Sequence, residues 1–412
     1  MMIIRWAILA LAVITLAFSC SKQNEVKNQA EEIIEKAPEG KPEVREGVVD
    51  VQVGSVIPEE TLGISGKVGI SFIRTIGDVE SKDPNLAFYY PNDIVVDAER
   101  NIFVLDSENH RIQKFNPEGM YLETIGREGE GPVEFMHPWA LDIDREGNLV
   151  VNEPDRHRLH IISPDGTTDK FKGNILDYSA FDVCCHPNGG FVAQASIMIP
   201  LLDEVPIQDI KCLKMYATDG TFQKSFVDCV DFGSPAATSN NHGILFDTGL
   251  DGSIYVTFRY QNRVEKYTSR GKLLWKVSRP LSYRPGFQQG KSTTTGNMTQ
   301  TTVRKNSPCA EGITSDNKGR AWVLTLNRQM KGREAIMVAT WMTGKRQITR
   351  GDTSLRFTDA YKMEIFSSKG DLVDTIPLTH FADSIDIFGD NLFLIDKYRG
   401  MQVFQYRIIS KK

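Results

Sequence analysis

The sequence predicts an all-β chain folded as a six-bladed β-propeller of four-stranded antiparallel blades, its ring closed by an N-terminal strand. Three observations carry this expectation. A strand–turn–strand unit recurs 47 residues along the chain, weaker copies continue to the C-terminus, and one strand near the start of the foldable part has no neighbour to pair with.

The strongest copy is Ile94-Val95-Val96-Asp97-Ala98-Glu99-Arg100-Asn101-Ile102-Phe103-Val104-Leu105-Asp106. It returns as Leu141-Asp142-Ile143-Asp144-Arg145-Glu146-Gly147-Asn148-Leu149-Val150-Val151-Asn152-Glu153. Each copy reads as two short apolar strands around a polar turn. A third strand follows, Arg111 to Phe115 and Arg158 to Ile162, and then Asn116-Pro117-Glu118-Gly119 and Ser163-Pro164-Asp165-Gly166. Pro and Gly there supply the restricted and the positive φ that such turns need. Met120 to Ile125 adds a fourth strand.

Phe181 to Ala193 with Cys212 to Phe226 forms a third unit. Gly243 to Val256 with Arg263 to Tyr267 and Leu273 to Val277 forms a fourth, and Gly312 to Leu324 with Tyr361 to Ile376 a fifth. The sixth, Asp383 to Ile395 with Gln402 to Ile408, runs out of chain before its fourth strand. Val68 to Ile76 can supply that strand, and its ending, Arg74-Thr75-Ile76-Gly77, resembles Glu123-Thr124-Ile125-Gly126. A lone sheet with two apolar faces is unstable, whereas radial stacking buries both faces and leaves only short edges.

The first residues follow a different pattern. One basic residue, Arg5, precedes an apolar run of 13 residues, Trp6 to Phe18, which is the layout of a secretory signal and shorter than a spanning helix requires. Leu16-Ala17-Phe18-Ser19-Cys20 resembles the lipobox of bacterial lipoproteins, with the leucine four places before the cysteine instead of three. The resemblance implies a diacylglycerol on Cys20 and attachment to a membrane outside the cytoplasm; Ser21 after the cysteine is compatible with the outer membrane in a cell with two. Between Ser21 and Val49, 12 of 29 residues are charged and none is aromatic, so this stretch is expected to be a disordered tether. The predicted organisation is a signal peptide over 1–19, the lipidated cysteine and tether over 20–66, and the propeller over 67–412.

Asp106-Ser107-Glu108-Asn109-His110-Arg111-Ile112-Gln113-Lys114-Phe115 resembles the core of an NHL repeat. Gly126 to Phe135 resembles the linker of bacterial six-bladed propeller lipoproteins. Both resemblances imply the fold; neither implies an activity, because propellers host unrelated functions.

A net charge of -5 and a pI near 5.9 speak against a nucleic-acid partner. Five cysteines remain after Cys20, namely Cys184, Cys185, Cys212, Cys229 and Cys309, without metal-type spacing; buried thiols and one disulfide both stay open. Hydrolase elbows, zinc-protease helices and phosphate loops are missing from the sequence.

Function is therefore expected on the rim that carries the long insertions: 197–210, 228–242, 278–308 and 327–358. One candidate set is basic. Arg111, Arg158 and Arg263 follow the loop between strands two and three, joined by His110, Arg156, His157 and Arg399, and could receive an anionic ligand. The competing expectation is that Asp106 and Glu153 clamp Arg111 and Arg158 within each loop. A second set, Asp93, Asp182, Glu311 and Asp383, lies where first strands begin around the axis and could hold Ca²⁺, as in gluconolactonase-like and amidating-lyase-like propellers. The leading expectation is a membrane-anchored recognition or scaffolding module that binds a protein or small ligand without a cofactor, and the alternative is a metal-dependent enzyme.

Overall fold

The computed structural model describes residues 61–63, 66–167, 172–173, 180–195, 205–295, 298–340 and 346–410. The signal segment, Cys20 and nearly all of the tether fall outside the described residues. Among those described, no helix is long and apolar enough to cross a membrane.

Six four-stranded antiparallel blades form the propeller. Blade 1 runs Pro91–Val96, Ile102–Asp106, Arg111–Phe115, Tyr121–Ile125, and blade 2 runs Ala140–Ile143, Leu149–Glu153, Arg158–Ile162, Lys172–Gly173. Blade 3 is Val183–Cys185, Phe191–Gln194, Lys211–Tyr216, Phe222–Asp228, and blade 4 is Ile244–Thr248, Ile254–Phe258, Gln261–Tyr267, Leu273–Ser278. Blade 5 is Ala310–Ser315, Ala321–Leu326, Tyr361–Phe366, Leu372–Pro377. Blade 6 is Ser384–Phe388, Asn391–Asp396 and Gln402–Ser410, completed by Val68–Ile76 from the other end of the chain.

That closing strand pairs along its whole length, from Val68 opposite Ser410 to Ile76 opposite Val403. A further short strand, Thr61–Leu62, pairs on its outside, so folded structure starts before residue 67. Each first strand touches the first strand of the next blade, and blade 6 returns to blade 1. Between blades the faces are apolar and buried; Trp322, Leu324, Ile365 and Leu394, for example, share one cluster across blades 5 and 6.

The repeated letters have physical jobs. In the turn between strands one and two, Asp97 accepts from the backbone N–H and side-chain amide of Asn101, and Asp144 does the same with Asn148. The shared Thr-Ile-Gly ending works likewise. Gly77 and Gly126 hold φ of 81° and 87°, and an added Cβ would stand 2.2 Å from the ring of Phe88 or Phe135 respectively. Only glycine permits both that backbone and that close approach.

Three of the four long insertions carry strands or an α-helix among the described residues. Residues 278–308 contain a hairpin, Gly286–Thr295 with Met298–Ser307, and 327–358 contain another, Met337–Thr340 with Arg346–Arg350. A Ser/Thr-rich composition reads as a solvated loop, but Thr also favours a pleated, half-exposed strand. Insertion 228–242 carries the helix Pro235–Asn241, with Ser234 Oγ accepting from the Ala237 N–H as its N-cap.

Candidate functional site

Chain direction places the loops between strands two and three, and between blades, on one rim. There the axial channel opens into a cavity of about 820 Å³. Its wall includes Trp139, Tyr260 and Tyr398, the cations Arg259, Lys397 and Arg399, and carboxylates from several first strands. Insertion 327–358 roofs part of it, since Glu334 to Val338 also line the cavity. The insertion leaves blade 5, receives a hydrogen bond from Arg399 of blade 6 at Glu334 O, and reaches blade 1, where Arg346 Nε lies 2.6 Å from Glu108 Oε1. The Arg346 guanidinium also lies 5.1 Å from the Tyr90 ring and 5.0 Å from that of Trp139.

All four acidic candidates reach this cavity. Asp93 already accepts from Ile94 N–H and from Leu141 N–H of the next blade, both at 2.9 Å. Glu311 pairs with Arg259 at 2.9 Å, and Asp383 accepts from Lys397 N–H. Lys397 Nζ donates to Asn92 Oδ1 at 3.1 Å. The electrostatic fields of Asp93 and Asp383 act on this ammonium, while its enclosure lowers its pKa. Ca²⁺ needs six to eight converging oxygens. Among the described residues, the one place where three Cys, His or carboxylate ligand atoms come within 4.8 Å of one another is Cys212, Cys229 and His242. As placed, the four channel carboxylates do not fit a Ca²⁺ cage.

Several channel carboxylates serve the ring itself. Asp142 bonds the Ile143 and Cys185 N–H groups, and Asp247 those of Thr248 and Ser315, so each, like Asp93, stitches its blade to the next. Enclosure, reinforced by neighbouring acids, pushes Asp93 and Asp386 up to about 7; enclosure also takes Asp182 to about 6.

The basic set does not converge. Arg111 Nε clamps Asp106 at 2.8 Å, as the loop expectation has it, and Arg111 Nη2 donates to Pro84 O and Ala87 O. In blade 2 the corresponding carboxylate differs: Glu153 accepts from Met136 N–H, His137 N–H and the His160 ring, while Arg158 donates to Glu130 O and Arg156 pairs with Glu130. Arg263 is buried, 3.7 Å from the Phe258 ring centroid and 3.0 Å from Glu265. Arg399 stacks 3.5 Å from the Phe381 ring and alone of the basic set lines the cavity. His110 and His157 hold left-handed φ of 54° and 52° at equivalent turns, where they end a short 3-10 turn.

Sequence reasoning missed the principal cavity residues Trp139, Arg259, Tyr260, Lys397 and Tyr398. A signal existed. Arg259-Tyr260 follows strand two of blade 4, and Lys397-Tyr398 follows strand two of blade 6, so a cation–aromatic pair recurs at one blade position.

With the geometry established, three comparisons place the chain among known proteins. The NHL repeat model matches residues 88–115, most of blade 1. A member of the DUF4221 family from Bacteroides vulgatus superposes with a TM-score of 0.52 at 8% identity, over 84% of this chain and 99% of that one. A gluconolactonase from Xanthomonas campestris gives a TM-score of 0.45 at 13% identity, over 84% and 91%. Virginiamycin B lyase from Staphylococcus aureus gives 0.43 at 12%, over 82% and 99%. No curated protein matches the sequence. The chain shares the propeller fold, and at these identities the likeness extends to the fold alone.

Proposed function

We propose that the protein is a recognition module, carried on an acylated Cys20 outside the cytoplasm, that holds a small hydroxyl-rich or amine-bearing ligand in its channel mouth. One observation carries this reading: a cavity of about 820 Å³ in which carboxylates outnumber cations and three aromatic rings, Trp139, Tyr260 and Tyr398, offer apolar faces beneath the 327–358 insertion. A cavity of this size is of the order that holds a small molecule, and its lining is more polar than is usual for such sites. The excess of acceptors favours ligands that donate hydrogen bonds, and the rings favour ligands with one apolar face.

The metal-enzyme alternative has less support. Asp93 and Asp383 already accept backbone N–H groups and Glu311 is held by Arg259, so these carboxylates are not gathered around one point as a divalent cation needs.

Tryptophan fluorescence titrations with panels of oligosaccharides, amino sugars and diamines test the reading. Saturable quenching by a member of the panel is expected, and Trp139→Ala should weaken binding of that ligand, measured by calorimetry, at least tenfold, while Ca²⁺ and chelator leave the melting curve unchanged. Chelator-sensitive melting would favour the metal enzyme. For the anchor, Cys20→Ala should move the protein from the detergent phase to the aqueous phase.

A further inference from the structure

At the loop-rich end of blade 3, away from the channel, two thiols and an imidazole meet. Cys212 lies on the third strand, Cys229 directly follows the fourth, and His242 ends the helix Pro235–Asn241. The two Sγ atoms are 3.4 Å apart, in contact without a bond. Cys212 is fully buried in an apolar cluster that includes Leu213, Phe226 and Phe258, whereas Cys229 is half-buried at its margin.

By distance the triad would admit a soft or borderline metal such as zinc. Two observations turn the chemistry another way. His242 Nδ1 lies 2.6 Å from Thr238 O and donates to it, while His242 Nε2 accepts from Val230 N–H at 2.8 Å, so the lone pair a metal would need is in use. The Arg263 guanidinium donates to the carbonyl oxygen of Asp228, the residue before Cys229, and its field acts on both sulfurs and on the imidazole. A fixed cation beside two sulfurs favours a thiolate and opposes an incoming cation.

We propose that Cys212 and Cys229 are a redox-active dithiol–disulfide pair in which Cys229 is the entering nucleophile and Cys212 the resolving thiol. The oxidant is a disulfide, either a small molecule or a protein. The Cys229 thiolate attacks one sulfur of that disulfide, a mixed disulfide forms, and the other sulfur leaves as a thiolate that takes up a proton. Cys212 then gives up its proton and attacks Cys229 Sγ; the internal S–S bond forms and the second half of the oxidant leaves as a thiol. Two hydrogens leave the protein and the oxidant is reduced to two thiols.

The asymmetry of the site sets that order. Cys229 meets solvent and Cys212 does not. The hydrogen bond between the two sulfurs, aided by Arg263, holds the Cys229 thiol below its ordinary pKa, while that bond and burial raise Cys212. Burial pushes Cys184, Cys185 and Cys309 upward, which leaves them poor nucleophiles. The product would staple strands three and four of blade 3 at the root of the 228–242 insertion.

The test uses the full chain, reduced and then exposed to oxidised glutathione. The protein should lose the mass of two hydrogen atoms, peptide mapping should join Cys212 to Cys229, and the melting temperature should rise. Cys212→Ser should accumulate a glutathione adduct at Cys229, and Cys229→Ser should take none at Cys212. On the unsubstituted protein, iodoacetamide should modify Cys229 about tenfold faster than Cys184, Cys185 or Cys309 at neutral pH. No Cys212–Cys229 linkage in the unsubstituted chain, or equal alkylation rates, would overturn the proposal. So would stoichiometric zinc that survives purification, blocks oxidation and is lost equally in the Cys212→Ser, Cys229→Ser and His242→Ala variants.

Discussion

Blades 1 and 2 carry the same loop between strands two and three, yet they wire it differently. In blade 1, buried Asp106 accepts from Tyr89 N–H, from the Asn109 amide and from Arg111. In blade 2, Glu153 accepts from two backbone N–H groups and from His160, one strand over. Common to both is a carboxylate that ties the preceding linker, Tyr89 in one and Met136-His137 in the other, to the end of strand two. The arginine five residues on is the variable partner. What the loop conserves between blades is therefore the capture of linker N–H groups, and the ion pair is one means of holding the carboxylate in place.

The two carboxylates are balanced differently. Burial raises Asp106 more than its three donors lower it, so its pKa lies above the ordinary value. Burial acts on Glu153 too, but His160 and the two N–H groups outweigh it and the pKa falls below the ordinary value. Removing Glu153 should accordingly be the more damaging change at neutral pH. Glu153→Ala is expected to cost about 3–4 kcal/mol, leaving buried donors unpaired, and Asp106→Ala about 2 kcal/mol. Equal losses in denaturant unfolding, or the reverse order, would break the comparison.

How much of this was legible in the sequence follows from which interactions are local. The Asp97–Asn101 and Asp144–Asn148 turns, the Asp106–Arg111 clamp and the closing strand all rest on spacings of a few residues or on strand patterns, and they could be read directly. Glu153 misled because its partners, Met136 and His160, lie on either side along the chain, and only the fold shows that they displace Arg158 as its main support. The channel mouth was half legible. The acids at the starts of first strands do line the cavity, but whether an acid faces a metal or a neighbouring blade's N–H depends on contacts such as Asp93 to Leu141, 48 residues apart. The Ser/Thr-rich insertion gave no apolar alternation, so its hairpin could not be told from a solvated loop.

Protonation sharpens the contrast, because the two carboxylates should respond to pH with opposite sign. Glu153, with a depressed folded pKa, contributes stability that is present above its ordinary value of 4.5 and is lost as pH falls through the folded value. The penalty of Glu153→Gln should shrink in acid. Asp106 has a raised folded pKa, so its contribution is present in full below 3.8 and is lost as pH rises through the folded value; the penalty of Asp106→Asn should shrink towards neutrality. The channel carboxylates side with Asp106. Asp93 and Asp386, raised from 3.8 to about 7, and Asp182, raised to about 6, bind more protons folded than unfolded in this interval. His110, His186, His242 and His380, held by burial below their ordinary 6.5, pull the other way below that value, so the decline should show cleanly from about pH 6.5 to pH 8, and a melting temperature that rises over that interval would remove the case for these raised values.

The smallest effects expected are at the arginines, and they decide what the basic stripe is for. Arg111 is 17% exposed and makes three bonds within its own blade and linker, so Arg111→Ala should cost about 1 kcal/mol. Arg158 donates to Glu130 O near the surface, and Arg158→Ala should cost about 0.5 kcal/mol, with Glu153 still satisfied by His160. A structural role predicts these losses of stability and no change in ligand affinity, because neither side chain borders the cavity. Arg399 is the control, since it lies against the cavity wall, stacked on Phe381 and bonded to the insertion that forms the roof. If Arg111→Ala and Arg158→Ala weakened ligand quenching of the Trp139 signal as much as Arg399→Ala, with melting curves unchanged, the arginines would belong to a binding surface and the shared-loop account of blades 1 and 2 would fail.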